Sequence, residues 1–173
     1  HRAGLPALRA PQREFAMYDW DAMVAALAAE VPWWEPGRAH GYHTNTFGFL
    51  VGEVVRRATG RSVGALLREL AVPLRADVFI GLPDEEHGRV RPFGFPVTDG
   101  FVAEPANHHE LMVRNGYTNP RGLSGVGVVN TPEWRRAEIP STNCHASARG
   151  VARFYAGILA GDVLAAETVA ALT

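Results

Sequence analysis

A chain of 173 residues and 18.8 kDa can bury one sizeable core, because a domain of this size hides roughly 70% of the surface its unfolded chain exposes; one domain is the expectation. With 47% hydrophobic and 20% charged residues it has the composition of a soluble globular protein and not of a disordered one, and 18 Gly with 12 Pro announce many loops. A formal charge of −1 and a pI near 6.7 argue against a nucleic-acid partner, which requires a concentrated cationic face.

From His1 to Phe15 no period is sustained and the chain reads as an irregular connection. Asp19 is then a good N-cap for a first helix, with Trp20, Met23, Val24, Leu27, Ala28 and Val31 as its apolar stripe and Pro32 as its stop. Trp33-Trp34-Glu35-Pro36-Gly37 makes a rigid turn, and Gly41-Tyr42-His43-Thr44-Asn45-Thr46-Phe47 leads into a second helix from about Thr46 to Thr59. Phe47, Leu50, Val51, Val54, Val55 and Ala58 recur at offsets of three and four, the pattern of a helix burying that face. Gly60 is the expected stop, preceded by Arg56 and Arg57, where positive charge suits the helix dipole.

Ser62 can cap a short third helix bearing Val63, Leu66, Leu67 and Leu70 and closed by Pro73. Ala76 to Leu82, with Val78, Phe79 and Ile80 between turn residues, fits a brief strand. Pro83 to Pro140 is dominated by Pro, Gly, Asn and Asp with one weak helix around Asn107 to Val113, and a stretch of this kind reads as a covering segment. Ser147 caps a regular helix with Ala148, Val151, Ala152, Tyr155, Ile158 and Leu159 on one side and Gly161 as its stop; another helix begins near Ala165. The fold class read from these elements is mainly α with loops and short strands.

Most candidate chemical motifs fail on spacing. His108-His109-Glu110 are adjacent, whereas a helix-borne zinc pair needs histidines at i and i+4, so solvated loop residues are the expectation. His40 and His43 lack a third ligand nearby in sequence. Gly122-Leu123-Ser124-Gly125-Val126 has Val where a nucleophile elbow needs Gly, and the following glycine run lacks the third glycine of a dinucleotide site. The single cysteine, Cys144, excludes an internal disulfide and is expected to be a buried or half-buried small residue. Tyr42 remains: either an interfacial aromatic whose hydroxyl finds a partner, or a phenol exchanging a proton with a nucleophile, which requires its ordinary value of about 10 to be lowered or its anion stabilised.

Taken together, His1-Arg2-Ala3-Gly4-Leu5-Pro6, Trp34-Glu35-Pro36-Gly37, Gly41-Tyr42-His43 with Gly48-Phe49-Leu50-Val51-Gly52-Glu53, Thr59-Gly60-Arg61, Ile80-Gly81-Leu82-Pro83, Ser147-Ala148-Arg149 and Arg153-Phe154-Tyr155 resemble the β-lactamase-related serine hydrolases. That family joins class C β-lactamases, serine penicillin-binding proteins and family VIII carboxylesterases, and the likeness is strongest to the esterase-like members. The resemblance implies a Ser-x-x-Lys nucleophile, a tyrosine motif in a helical domain and a third motif on an edge strand. Tyr42 stands at the family tyrosine, which helps pass the serine proton to the leaving group. Where the family often has Asn two residues further on, this chain has Thr44, with Asn45 next; His43, Thr44 and Asn45 are candidates for the proton network or for binding substrate. Trp134, with Trp33 and Trp34, is a candidate wall of an apolar acyl pocket.

All 17 basic residues are Arg, so none of the four serines, Ser62, Ser124, Ser141 and Ser147, can open a Ser-x-x-Lys. The resemblance therefore implies a single incomplete domain over residues 1–173, the middle, mostly helical part of a β-lactamase/transpeptidase-like α/β fold, with the nucleophile outside it. The expected activity of the intact protein is ester hydrolysis through a serine acyl-enzyme, acting on a small-molecule ester or amide without metal or organic cofactor. β-Lactamase or D-Ala-D-Ala peptidase activity and a non-catalytic binding or structural module stand as alternatives. No membrane span and no opening signal peptide are read, and the cytoplasm is the favoured compartment; because the chain opens on His1, a removed leader stays open.

Overall fold

The computed structural model describes residues 1–94, 104–123, 125 and 127–172. The architecture is mainly α. Helix α1 (Trp20–Ala29), α2 (Thr46–Thr59) and α3 (Val63–Ala71) follow one another, then β1 (Val78–Phe79), a 3₁₀ turn at Asp84–Arg89, α4 (His108–Thr118), α5 (Pro132–Arg136), β2 (His145–Ala146), α6 (Ala148–Ala160) and α7 (Ala166–Leu172). The two strands pair antiparallel, Val78 opposite Ala146 and Phe79 opposite His145.

Local chemistry sets most boundaries. Asp19, Ser62, Asn107, Thr131 and Ser147 each accept a backbone N–H in the first turn of the helix they precede, which satisfies donors that have no intrahelical partner. Gly60 and Gly161 end α2 and α6 in the left-handed conformation that glycine adopts without steric cost. Glu138 reinforces the start of α3 from 74 residues away, accepting from the Gly64 N–H at 2.9 Å and from the Ser62 hydroxyl at 2.7 Å.

The main core gathers Leu8, Met17, Met23, Leu27, Phe49, Leu123, Trp134 and Ile139, so α1, α2 and α5 meet over residues supplied by loops. A second cluster of Ala71, Ala76 and Val78, flanked by Leu67, Leu74 and Phe154, joins α3, β1 and α6. Glu53 fastens α1 to α2: it accepts from Trp20 Nε1 at 2.9 Å and from Arg56 and Arg57 at 2.7 and 2.8 Å. The Arg56, Trp20 and Arg57 hydrogen bonds together pull its carboxyl down to about 2.

Several expectations change. The Phe47, Val51 and Val54 stripe of α2 is not its buried face: these residues are 41%, 45% and 67% exposed, while Thr46, Gly48, Phe49, Gly52 and Glu53 are buried. The bare Gly48 and Gly52 decide this, since a Cβ on either would come within 2.5 Å of the Ser141 backbone or the Trp20 ring; neighbours press closest where side chains are missing. Tyr155 and Leu159 of α6 are likewise exposed. The described residues of Pro83 to Pro140 hold more regular structure than the one weak helix expected: the 3₁₀ turn, α4 and α5. Its weak helix runs on to Thr118 because Asn115 and Gly116 are tied to the main body, Asn115 Nδ2 donating to Leu8 O and Asn45 Nδ2 to Gly116 O. His108 and His109 are solvent-exposed but open that helix instead of lying in a loop. Cys144 is exposed, not buried. Ser124 lies outside the described residues.

Candidate functional site

The tyrosine loop is pinned from three directions. The buried His43 ring has both nitrogens engaged: Nδ1–H donates to Gly41 O at 2.6 Å, and Nε2 accepts the Leu5 N–H at 3.1 Å. Burial lowers its pKa below the ordinary 6.5, with the Gly41 carbonyl pulling the other way, so the ring is neutral at pH 7. With both nitrogens engaged by backbone groups, the His43 ring ties the loop to Gly41 and Leu5. His1 completes the clamp, its carbonyl accepting the Gly41 N–H at 3.1 Å and its Nδ1 the His43 N–H at 3.1 Å. The His1 ring packs 4.9 Å from both Tyr42 and Phe47, centroid to centroid.

Asn45 is also a positioning group. Its side chain does not cap α2, because it turns inward, donating to Gly116 O at 2.8 Å and accepting from Thr142 Oγ1 at 2.6 Å. The cap comes from across the chain, where Ser141 Oγ accepts the Gly48 N–H at 2.6 Å. Thr46 Oγ1 donates to Leu5 O at 2.7 Å. Thr44, half-buried, makes no side-chain hydrogen bond to a described residue.

Against this background Tyr42 stands out by its freedom. The residue is 64% exposed, and its hydroxyl has no hydrogen-bond partner among the described residues. A phenol held by its ring and backbone, with its oxygen uncommitted, can exchange a proton with a group brought up to it. Tyr42 also adjoins, through the His1 ring, Phe47 of the exposed Phe47, Val51 and Val54 face of α2.

The three tryptophans separate. Trp33 donates Nε1–H to Ala7 O at 2.8 Å, carries the Arg9 guanidinium 3.9 Å over its ring and meets His108 at 4.6 Å; it is part of a polar stack. Trp34 lies edge-on to His43 at 5.7 Å, against the bare Gly41. Only Trp134 of the three lines the large cavity, a space of about 670 Å³ also bounded by Phe79, Phe93, Thr142 and His145. Trp134 is 3% exposed, and its buried Nε1–H has no hydrogen-bond partner among the described residues.

Sequence reasoning missed His1, Ser141 and Thr142. Each acts through a bond spanning 42 to 97 residues, for which no local pattern exists. Among the described residues no three His, Cys, Asp or Glu side chains are grouped so as to hold a metal ion, and no helix is long and apolar enough to cross a membrane.

The family model described as Beta-lactamase matches residues 1–173. Esterase/beta-lactamase LipL of Mycobacterium tuberculosis is 32% identical over 171 residues, covering 93% of this chain and 39% of that protein. The crystal structure of a novel penicillin-binding protein homolog from Caulobacter crescentus is 38% identical with a TM-score of 0.75, over 95% of this chain and 42% of that one. A family VIII carboxylesterase structure is 35% identical with a TM-score of 0.74, over 96% and 43%. The chain thus spans about two-fifths of the length of these relatives, and its mainly helical architecture is a portion of the β-lactamase/penicillin-binding-protein-like fold. On the full-length family match and these identities, the chain belongs to the β-lactamase-related serine hydrolases.

Proposed function

We propose that the protein carrying this chain is a carboxylesterase working through a serine acyl-enzyme, that residues 1–173 form part of one incomplete domain, and that the nucleophile lies outside them. The observation that carries this reading is the uncommitted, exposed hydroxyl of Tyr42 on a loop clamped by His1 and His43. In the first step the serine Oγ attacks the ester carbonyl, its proton passes through Tyr42 to the departing alkoxide, and the C–O bond to the alcohol breaks. In the second, water attacks the acyl-enzyme and releases the acid and the serine. Backbone N–H groups beside the serine would hold the oxyanion; this chain has no Lys, and on this reading the lysine that shares the proton work lies with the serine outside it. Trp134 walls the space for part of the substrate, while His43 and Asn45 keep the loop in place.

The test is hydrolysis of p-nitrophenyl acetate and butyrate by the full-length protein. Tyr42→Phe should leave its circular dichroism unchanged and slow acylation by about a hundredfold or more. An unchanged rate would return Tyr42 to an interfacial aromatic. β-Lactamase or peptidase activity is the second reading, favoured by a relative whose name joins esterase and beta-lactamase and by the penicillin-binding protein homolog; faster turnover of a chromogenic cephalosporin than of the esters would select it. A non-catalytic module is the third, favoured by the missing lysine, and absence of both activities would select it.

A further inference from the structure

A second cleft, of about 330 Å³, lies between residues 9–14 and the C-terminal half of α4, and it shares no lining residue with the Trp134 cavity or the tyrosine loop. Side-chain amides fasten its two walls together. Asn119 Nδ2 donates to Leu8 O and Ala10 O, both at 2.9 Å, while its Oδ1 accepts the Gln12 N–H at 2.8 Å. Asn115 Nδ2 donates to Leu8 O at 2.9 Å. These bonds join residues 107 to 111 positions apart, so the shape of the cleft is fixed before anything enters it, which lowers the cost of binding.

The charge on the walls is one-sided. Arg9, Arg114 and Arg121 line the cleft against a single carboxylate, Glu14. Arg9 pairs with Glu30 at 2.5 Å and Arg114 with Glu104 at 3.0 Å, and neither of those acids lines the cleft. Exposed Arg121 and exposed Glu14 have no ion pair among the described residues.

Donors are left over at each guanidinium. Arg9 is held in place, its Nη1 donating to Glu30 Oε1 and Val31 O and its guanidinium carbon 3.9 Å over the Trp33 ring, while Nε and Nη2 have no acceptor among the described residues. Arg114 engages only Nη1, and its partner Glu104 is 95% exposed, a screened contact that holds it weakly. The side chains of Arg9 and Arg114 keep 33% and 29% of their surface accessible, so a solute can reach them.

Glu14 and the C-terminal pole of α4 oppose an anion here, and three guanidiniums outweigh them. Because Coulomb attraction scales with the charge of the ligand, a multiply charged anion gains most. We infer that this cleft binds a small oxyanion of two or more negative charges, gripped by arginine forks whose planar donors match the oxygens of carboxylates and phosphates. Pro11 and Leu111 give it apolar flanks, and walls of low dielectric concentrate the field of the charges set in them. Its volume stands at the lower end of the roughly 300–1,000 Å³ of small-molecule sites, which suits a compact ion.

The inference is independent of the esterase reading, since none of these residues takes part in the proposed chemistry and the test reads binding alone. Inorganic phosphate and citrate are each titrated into the full-length protein by calorimetry at pH 7.5 and constant ionic strength, which holds screening fixed. At least one should bind saturably at a single site with a Kd below about 1 mM; the better of the two tells whether phosphoryl or carboxylate groups are preferred. Arg121→Gln should weaken that binding about tenfold, and Arg114→Gln serves if the first variant fails to fold. Glu14→Gln should tighten it several-fold by removing the one carboxylate on the wall. Arg68→Gln, the same charge change at an exposed position on α3 outside the cleft, should leave it unaltered. Saturable binding of neither anion would overturn the site, and so would equal weakening by Arg68→Gln and Arg121→Gln, the result of attraction to net charge alone.

Discussion

His43 illustrates how much one side chain does here without touching chemistry. Its ring is neutral and buried in the folded state, with its pKa lowered by burial, whereas in the unfolded chain it titrates near 6.5. The unfolded state therefore binds more protons as pH falls below that value, so the stabilisation is complete above about pH 6.5 and is lost as pH drops toward the folded pKa. His145, lowered in the same direction, adds to the effect. Urea midpoints should fall between pH 7.5 and 5.5, and His43→Gln should shrink that fall; an identical pH dependence in the variant would mean that His43 does not titrate as described. Glu53 acts in the opposite sense and further down: its carboxyl is held at about 2 against an ordinary 4.5, so its contribution is present above 4.5 and disappears as pH falls through 2. Tyr42 and its neighbours were recognisable from sequence because they form one continuous motif. What could not be read there was that His43 and Asn45 face backbone and side chains up to 97 residues away.

At the scale of elements, α2 carries the lesson. Its bounds, Thr46 to Thr59, were legible from period and stop signals, which depend only on neighbouring residues. Which face it buries was not. Periodicity marks the apolar side, but contact depends on what the rest of the chain brings up, and here Trp20 and Ser141 pack against Gly52 and Gly48. Gly48→Ala should push α2 away from the Ser141 turn and cost roughly 1–3 kcal/mol, read as a lower urea midpoint with unchanged slope. In the isolated 173-residue chain, Val54→Ser, at a position 67% exposed, should stay within about 0.5 kcal/mol. A loss from Val54→Ser as large as that from Gly48→Ala would contradict the assignment of faces. The 3₁₀ turn and α5 escaped sequence reading because six and five residues are too few to display a period.

For the molecule as a whole, the exposed strip of Phe47, Val51 and Val54 lies near Tyr42, whose hydroxyl has no partner among the described residues; on the proposed function this is one side of a divided site. On the proposed function the 173-residue chain by itself should hydrolyse no chromogenic short-chain ester above the buffer rate; turnover abolished by a substitution within it would refute the division of the site. Family membership was legible because ordered short motifs run from His1 to Tyr155, and the match over residues 1–173 bears it out. Helix starts and stops, the tyrosine motif and the lack of any lysine are properties of adjacent residues or of composition, so the amino-acid order alone determined them. The cavity at Trp134, the cap that Ser141 places on α2 and the neutrality of His43 come from groups far apart in the chain. Only tertiary packing decided these, because burial and long-range hydrogen bonding exist only once distant segments have been brought together.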